Sequence, residues 1–415
     1  MFLRKFRTPI FKDAAYGRLA LSAEILASAR LRPNATVIVD TIRSVAGIAA
    51  LRADYDRLSR VSSNTLPFAL HEWHVAWCEH FLNCNPRIKE EPLFYVVRNL
   101  ERECVAIVPF VICKRRLGPL KLVSVNFLGA DPAITEIRAP LIEPGYEKIT
   151  ARAMQDHLAK EGAWDWVDWT DISDAFANSL DTQQLHWQPG LSAYVLDLPS
   201  TWPEFRSGLK RNIRESLRHC YNSLKRDGHR FECIVIDRPE DIGDALDEFL
   251  RLHVMRANYR ISVMHPDRFS SKVSRDFLYS VCRRLAARGA VRIFQLRIDS
   301  KIVATRVGFV VSDSLYLYYS GFDPQWARYS VMTTTVAEAI KYAIVQGLAT
   351  VNLSPTKDIS KTRWGPREVT YRSAYQQGAR LHSGLAHRAY LKSRSPEGIQ
   401  SWILRRLIPA RRTWN

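Results

Sequence analysis

Apolar and polar positions along this chain predict a run of strands, then a helix, then a strand, and they do so twice. In the first half, Leu93 to Arg98, Cys104 to Cys113 and Leu120 to Leu128 are rich in β-branched and aromatic residues, with Gly118-Pro119 as a break, which predicts an antiparallel meander. A helix from about Tyr146 to Lys160 follows, and Trp164 to Trp169 alternates aromatic with acidic residues as a half-exposed strand does. In the second half, Val291 to Ile298, Ile302 to Val311 and Ser314 to Tyr319 are separated by Asp299-Ser300 and Ser312-Asp313, pairs that suit tight hairpins. A helix from about Ser330 to Gln346 stops at Gly347, and Ala349 to Leu353 is a final short strand. Each meander closes on a Gly-x-Asp-Pro turn, Gly129 to Pro132 and Gly321 to Pro324, so the chain reads as two similar units.

Between the halves, Thr201-Trp202-Pro203-Glu204 has the form of a capping box. Phe205, Leu209, Ile213, Leu217, Tyr221 and Leu224 then recur nearly every fourth position, which predicts one helix running to Asp227-Gly228. Lys210, Arg211, Arg214, Arg218 and Lys225 occupy its other faces and make a basic ridge. The expected organisation is a basic segment 1–36, a first unit 37–200, the connecting helix 201–230, a second unit 231–385 and a basic tail 386–415.

A length of 415 residues suits two or three domains, and 47% hydrophobic residues suffice for a sizeable core. No stretch reaches the roughly 20 apolar residues that a membrane-spanning helix needs, and Glu24 interrupts the most apolar run near the start, against a secretory leader. The net charge of +18 is concentrated in three places. Lys and Arg outnumber Asp and Glu by seven to two over residues 1–33, eight to two over 205–230 and seven to one over 386–415. The folded bodies are therefore nearly neutral, and net charge alone does not predict a nucleic-acid binder. In the tail, Ile399, Trp402, Ile403, Leu404, Leu407 and Ile408 interleave with Arg405, Arg406, Arg411 and Arg412, the pattern of a helix lying on an anionic membrane surface. Seven cysteines, an odd number without paired or zinc-ligand spacing, predict reduced, buried thiols in a cytoplasmic protein, and no metal is expected.

Several ordered segments carry more specific information: Leu209-Lys210-Arg211-Asn212-Ile213-Arg214, Leu252-His253-Val254-Met255-Arg256, Tyr319-Ser320-Gly321-Phe322-Asp323-Pro324, Arg328-Tyr329-Ser330 and Lys361-Thr362-Arg363-Trp364-Gly365. With the repeated order of meander, turn, helix and strand, they resemble the tandem branch of the GNAT acyltransferases. That branch includes FemAB-type aminoacyl ligases, CelD-like proteins associated with cellulose biosynthesis, and BioF-like acetyltransferase domains. The resemblance implies an α+β fold of two tandem GNAT-like units, each a mixed, mostly antiparallel sheet flanked by helices. It implies transfer of an acyl group from acyl-CoA or an acyl-carrier protein to an amine or hydroxyl of a cell-envelope or exopolysaccharide precursor. It also implies a cytoplasmic protein, with the tail as a peripheral contact to the inner membrane.

In that family the donor pyrophosphate rests on amides at the start of the helix after the fourth strand, where helix dipole and open donors meet. The matching positions are Arg328, Tyr329, Ser330, Val331, Met332 and Thr333. Val331 and Thr333 stand where the family pattern has glycines, which leaves less room for coenzyme A.

The chemistry needs a base for the acceptor, a donor for the oxyanion and an acid for the leaving group. His253 is a candidate base or acceptor ligand, with Arg256 three residues on along one helix face; a satisfied core or surface histidine is the plain alternative. Asp323 either orients an acceptor amine or caps its own turn before Pro324. Tyr318 and Tyr319 end a strand, and alternation puts only one toward the cleft, where Tyr319 would donate to the leaving group unless it is aromatic core. Lys357 and Lys361, with Trp364, are candidates for neutralising a phosphate or carboxylate on the acceptor, against an ordinary surface loop. Arg211 and Arg214, with Arg218, either bind phosphate or line a solvated face. Two other readings stand beside acyl-thioester chemistry: a ligase that uses aminoacyl-tRNA, and a silent scaffold at a membrane or nucleic acid.

Overall fold

The structure of the protein, a computed structural model, describes residues 36–117, 120–129, 134–183, 185–259 and 265–394. The basic segment before residue 36, the Asp131-Pro132 turn and the amphipathic tail lie outside the described residues. The first half runs β1 (Ile38–Ile42), α1 (Val45–Ala50), α2 (Arg52–Val61), α3 (His71–Phe81), β2 (Ile88–Arg98), β3 (Cys104–Leu117), β4 (Leu120–Phe127), β5 (Leu141–Ile142), α4 (Glu147–Glu161), β6 (Trp166–Ser173), α5 (Asp174–Ala177) and β7 (Leu185–Asp197). The second half runs α6 (Trp202–Gly208), α7 (Arg211–Arg226), β8 (Phe231–Ile236), α8 (Ile242–Asn258), α9 (Lys272–Ala287), β9 (Val291–Ile298), β10 (Lys301–Val311), β11 (Ser314–Phe322), α10 (Val331–Val345), β12 (Thr350–Pro355), α11 (Ile359–Thr362), β13 (Arg367–Gln377) and α12 (Ser383–Arg394).

These elements fold into two compact units. The first takes its described residues from 29–192, 268–281 and 370–415. Its strands follow the order β1-β2-β3-β4-β6-β13, antiparallel throughout except for β4 and β6. One sheet face carries Phe110, Phe127 and Trp169 against Met154 and Leu158 of α4. The other carries Leu122 and Trp166 under Ala386 and Tyr390 of α12. Phe277, on the part of α9 that belongs to this unit, packs on Trp73 and Phe81 of α3 with ring centroids 5.2 and 5.1 Å away.

The second unit takes its described residues from 193–267 and 282–369, with strand order β12-β11-β10-β9-β8 and residues 193–197 of β7 against β12. Ala337, Ile340 and Ile344 of α10 bury one face of this sheet through Phe294, Leu315 and Leu317. At about 25 cal/mol per Å² of apolar surface, such aliphatic and aromatic layers are the main favourable term in each unit.

Both predicted meanders are present as β2 to β4 and β9 to β11, each followed by the expected helix and strand. The predicted connecting helix is not continuous. Thr201 caps α6 by accepting from the Glu204 amide, but Leu209 and Lys210 are extended, with ψ near 147–148°, and split the run into α6 and α7. Gly208 weakens the helix there, and Arg214 Nη1 donates to the carbonyls of Ser207 and Leu209, which satisfies the end of α6. All seven cysteines are free thiols, five of them buried. No described helix is long and apolar enough to cross a membrane.

The first unit contains a buried ion pair, Arg138 Nη1 to Asp171 Oδ2 at 3.2 Å. Arg138 Nε also donates to the Gly129 carbonyl, and Asp171 accepts from the Leu191 amide and from Ser373 Oγ. Replacing one member of such a pair strands its partner in a low-dielectric interior. Arg138→Met is expected to destabilise this unit by about 3–5 kcal/mol in chemical denaturation, and Arg138→Met with Asp171→Asn to recover part of the loss.

Candidate active site

In the second unit, β11 and β12 run parallel for only three paired residues, Ser314 with Thr350, Leu315 with Val351 and Tyr316 with Asn352. Beyond them β12 pairs with β7 on its other side while β11 stays with β10, so the sheet opens between the two strands from Leu317 onward. The β10–β11 register also shifts at this point. Gly308 faces Leu317 and Arg306 faces Ser320, so Tyr318 and Tyr319 together oppose Val307. Such a bulge bends the strand and re-aims side chains, and the strict alternation expected for the two tyrosines does not hold here. Tyr318 is buried against Phe309, and Tyr319 is half-buried.

Helix α8 brings its side chains to the bulge. A Cβ on Gly321 would lie 2.4 Å from the His253 amide nitrogen and 2.5 Å from Leu252 C, so only glycine lets α8 lie this close to β11. His253 is buried, stacked on Phe249, with its ring centroid 5.9 Å from that of Tyr319. Its Nδ1 lies 2.9 Å from the Ser320 carbonyl, an acceptor, so Nδ1 carries a proton and Nε2 is the nitrogen turned to Asp267. Nε2 lies 3.6 Å from Asp267 Oδ1, so imidazolium formed there has a counter-charge at hand.

One helical turn on, Arg256 donates to Ser320 Oγ at 2.6 Å and lies 3.0 Å from a ring nitrogen of His265. Burial pulls the Arg256 pKa down to about 10, against the opposing pull of Asp358. Burial first, then Arg256, hold His265 down at about 4, so it is neutral at pH 7. The sequence placed His253 and Arg256 on one helix face, and the structure brings them together with Tyr319. It adds Ser320, from the segment 319–324, and His265, Asp267 and Asp358, for which no sequence pattern gives a signal.

The other sequence candidates fall elsewhere in the unit. Asp323 caps the 3-10 turn Pro324–Tyr329 by accepting from the Gln325 amide at 3.0 Å. Arg328 lies over the Tyr329 ring, and the Tyr329 hydroxyl donates to Asp227 at 2.9 Å. Ser330 takes a left-handed conformation, φ 52°, at the start of α10, and its carbonyl accepts from the Thr333 amide at 2.8 Å. Val331 is buried with Leu224 of α7, while Met332 and Thr333 are half-buried. The buried Cys220 thiol of α7 faces Ser330 and Thr334, and burial raises its pKa.

On α7, Arg211 pairs with Glu215 at 2.8 Å, Arg214 holds the end of α6, and Arg218 is exposed. Lys357 is exposed. Lys361 Nζ donates to the carbonyls of Pro355 and Thr356, and Trp364 is buried in the apolar core under α10. Among the described residues, no group of three or more His, Cys, Asp or Glu is placed to hold a metal ion.

A family model described as an acetyltransferase (GNAT) domain matches residues 211–362. Over these residues, from the start of α7 to the end of α11, the chain is similar to GNAT acetyltransferase domains. No curated protein matches the chain by sequence. Among solved structures, FemX is similar at a TM-score of 0.55 and 10% identity, covering 84% of this chain and all of that one. The C-terminal domain of a putative lysylphosphatidylglycerol synthetase from Agrobacterium fabrum is similar at a TM-score of 0.48 and 13% identity, covering 84% and 95%. A tandem GNAT protein from the clavulanic acid pathway is similar at a TM-score of 0.43 and 11% identity, covering 83% and 99%. At such identities the FemX match shows a shared fold. The same order of meander, helix and strand recurs in both units.

The close approach at Gly321 gives a direct check on this candidate site. Gly321→Ala forces α8 off the bulge, and such overpacking typically costs about 1–3 kcal/mol. Acyl transfer is expected to fall further than stability does, with the loss read as transfer rate against melting temperature.

Proposed function

We propose that the second unit transfers an acyl group from a thioester donor to an amine or hydroxyl of a cell-envelope or polysaccharide precursor. The observation that carries this reading is His253, its Nδ1 bonded to the Ser320 carbonyl, at the bulge where β11 and β12 part. The acyl-pantetheine arm enters between the parted strands. His253 Nε2 takes the proton of the attacking amine as the C–N bond forms, Asp267 stabilises the imidazolium, and the C–S bond breaks. The Tyr319 phenol, on the same bulge, returns a proton to the departing thiolate.

The start of α10 is a tight seat for a CoA pyrophosphate. Side chains replace the glycines at Val331 and Thr333, the Thr333 amide is already bonded, and α7 packs over Val331. An acyl-carrier protein, whose thioester arm needs no such seat, fits the same cleft, and acyl-CoA remains the simplest donor to try. The second reading, an aminoacyl-tRNA ligase, draws on the exposed cations Arg211, Arg218 and Lys225 along α7.

The test is thiol release from acetyl-CoA, acyl-pantetheine and acyl-carrier protein, with a panel of amino sugars and sugar phosphates as acceptors. Acceptor-stimulated release that falls about 100-fold or more in His253→Ala, and less in Tyr319→Phe, is expected. No release from any thioester, with consumption of charged tRNA that weakens steeply with salt, would establish the second reading instead.

A further inference from the structure

Among the described residues, Arg256 is a cation whose hydrogen-bond partners are uncharged. Its Nη1 donates to Ser320 Oγ at 2.6 Å and reaches the Ser320 carbonyl at 3.4 Å, and its Nη2 lies 3.0 Å from His265. Among the described residues no carboxylate oxygen comes within ion-pairing distance of it. Asp358 acts on it from farther away, with its own carboxylate engaged by the Ser360 amide at 2.8 Å. A partly buried guanidinium in this position has lost hydration without gaining a counter-ion, and its planar donor fork suits a carboxylate or a phosphate.

A second cation stands near it. Lys361 acts electrostatically on the same His265, and its ammonium is fixed by the carbonyls of Pro355 and Thr356. Those carbonyls belong to a turn in which Ser354 and Thr356 have φ of 70° and 79°. Left-handed geometry is uncommon for a β-branched residue and costs on the order of 1–3 kcal/mol. The turn is thus held in a costly shape that fixes the Lys361 ammonium.

The spacing connects these cations to the chemistry. Arg256 follows His253 by three residues, so the two side chains lie on one face of α8, roughly 5 Å apart along the helix axis. A ligand anchored at Arg256 by an anionic group presents atoms a few bonds away to His253 Nε2.

We propose that Arg256 binds a carboxylate or phosphate of the acyl acceptor, so that the acceptor is an anionic amine or alcohol and not a neutral sugar. This assignment rests on acyl transfer at His253. Its test is therefore made both without and with turnover.

Binding of inorganic phosphate and of acetate to the full chain is measured by calorimetry at constant ionic strength, for the wild type, Arg256→Gln and Arg256→Lys. Wild-type binding of at least one anion is expected, weakened at least about tenfold in Arg256→Gln and partly kept in Arg256→Lys. Tyr319→Phe should leave it unchanged. Tighter phosphate than acetate assigns a phosphorylated acceptor, and the reverse assigns a carboxylate. No binding by the wild type, or equal binding by Arg256→Gln, overturns the proposal. With an acceptor in hand, Arg256→Gln should raise its KM about tenfold or more while kcat changes less, and an unchanged KM overturns the subsite alone. Anion binding that depends on Arg256 in a protein without transferase activity overturns the acyl-transfer reading and leaves the subsite standing.

Discussion

Three residues of parallel pairing govern the second unit of this protein. Because β11 and β12 share hydrogen bonds only from Ser314 to Tyr316, everything beyond is a gap in a sheet whose strands are otherwise paired. A gap of this kind needs support on both sides. Pairing of β12 with residues 193–197 supports one edge, and pairing of β11 with β10 supports the other. The bulge at Tyr318 and Tyr319 turns the free end of β11, and Gly321 lets α8 close on it. His253 and Arg256 are thereby fixed by backbone contacts made within the same few residues.

The first unit has the same three-residue parallel pair, Ser124 with Trp166 to Asn126 with Asp168. It differs in what surrounds that pair. The β3–β4 register runs without a shift from Phe110 to Leu117, and the Arg138–Asp171 pair is buried in the unit with bonds to Gly129, Leu191 and Ser373. There the buried cation has a carboxylate as its partner. In the second unit Arg256 is held by neutral acceptors, and His253 turns Nε2 to a carboxylate. The two units thus place their buried polar residues differently, around an ion pair in one and around neutral hydrogen-bond partners in the other.

Much of this was legible in the sequence, for reasons of period. Strands of the meanders alternate or run apolar, α4 and α10 end at Gly162 and near Gly347, and the Thr201 box caps α6, all of which are local signals. The break at Leu209 and Lys210 was hidden because the apolar spacing of α6 continues into α7, although the chain between them is extended. The places of β13 and of residues 193–197 were hidden because strand partners are chosen by distant contacts. At the site, the i, i+3 spacing of His253 and Arg256 was readable. His265, Asp267 and Asp358 were not, since only folding places them beside α8. Asp323 shows the reverse case: a residue with a suggestive position whose carboxylate caps its own turn, as short polar side chains before proline commonly do.

A crystal structure of the full chain with a non-hydrolysable acyl-pantetheine thioether examines the proposed acyl transfer where β11 and β12 separate. Ligand density is expected between Leu317 and Leu353, with the acyl carbon facing His253 Nε2 and Tyr319. Density in the first unit, or along α7 with the β11–β12 gap filled by protein side chains, would contradict that proposal.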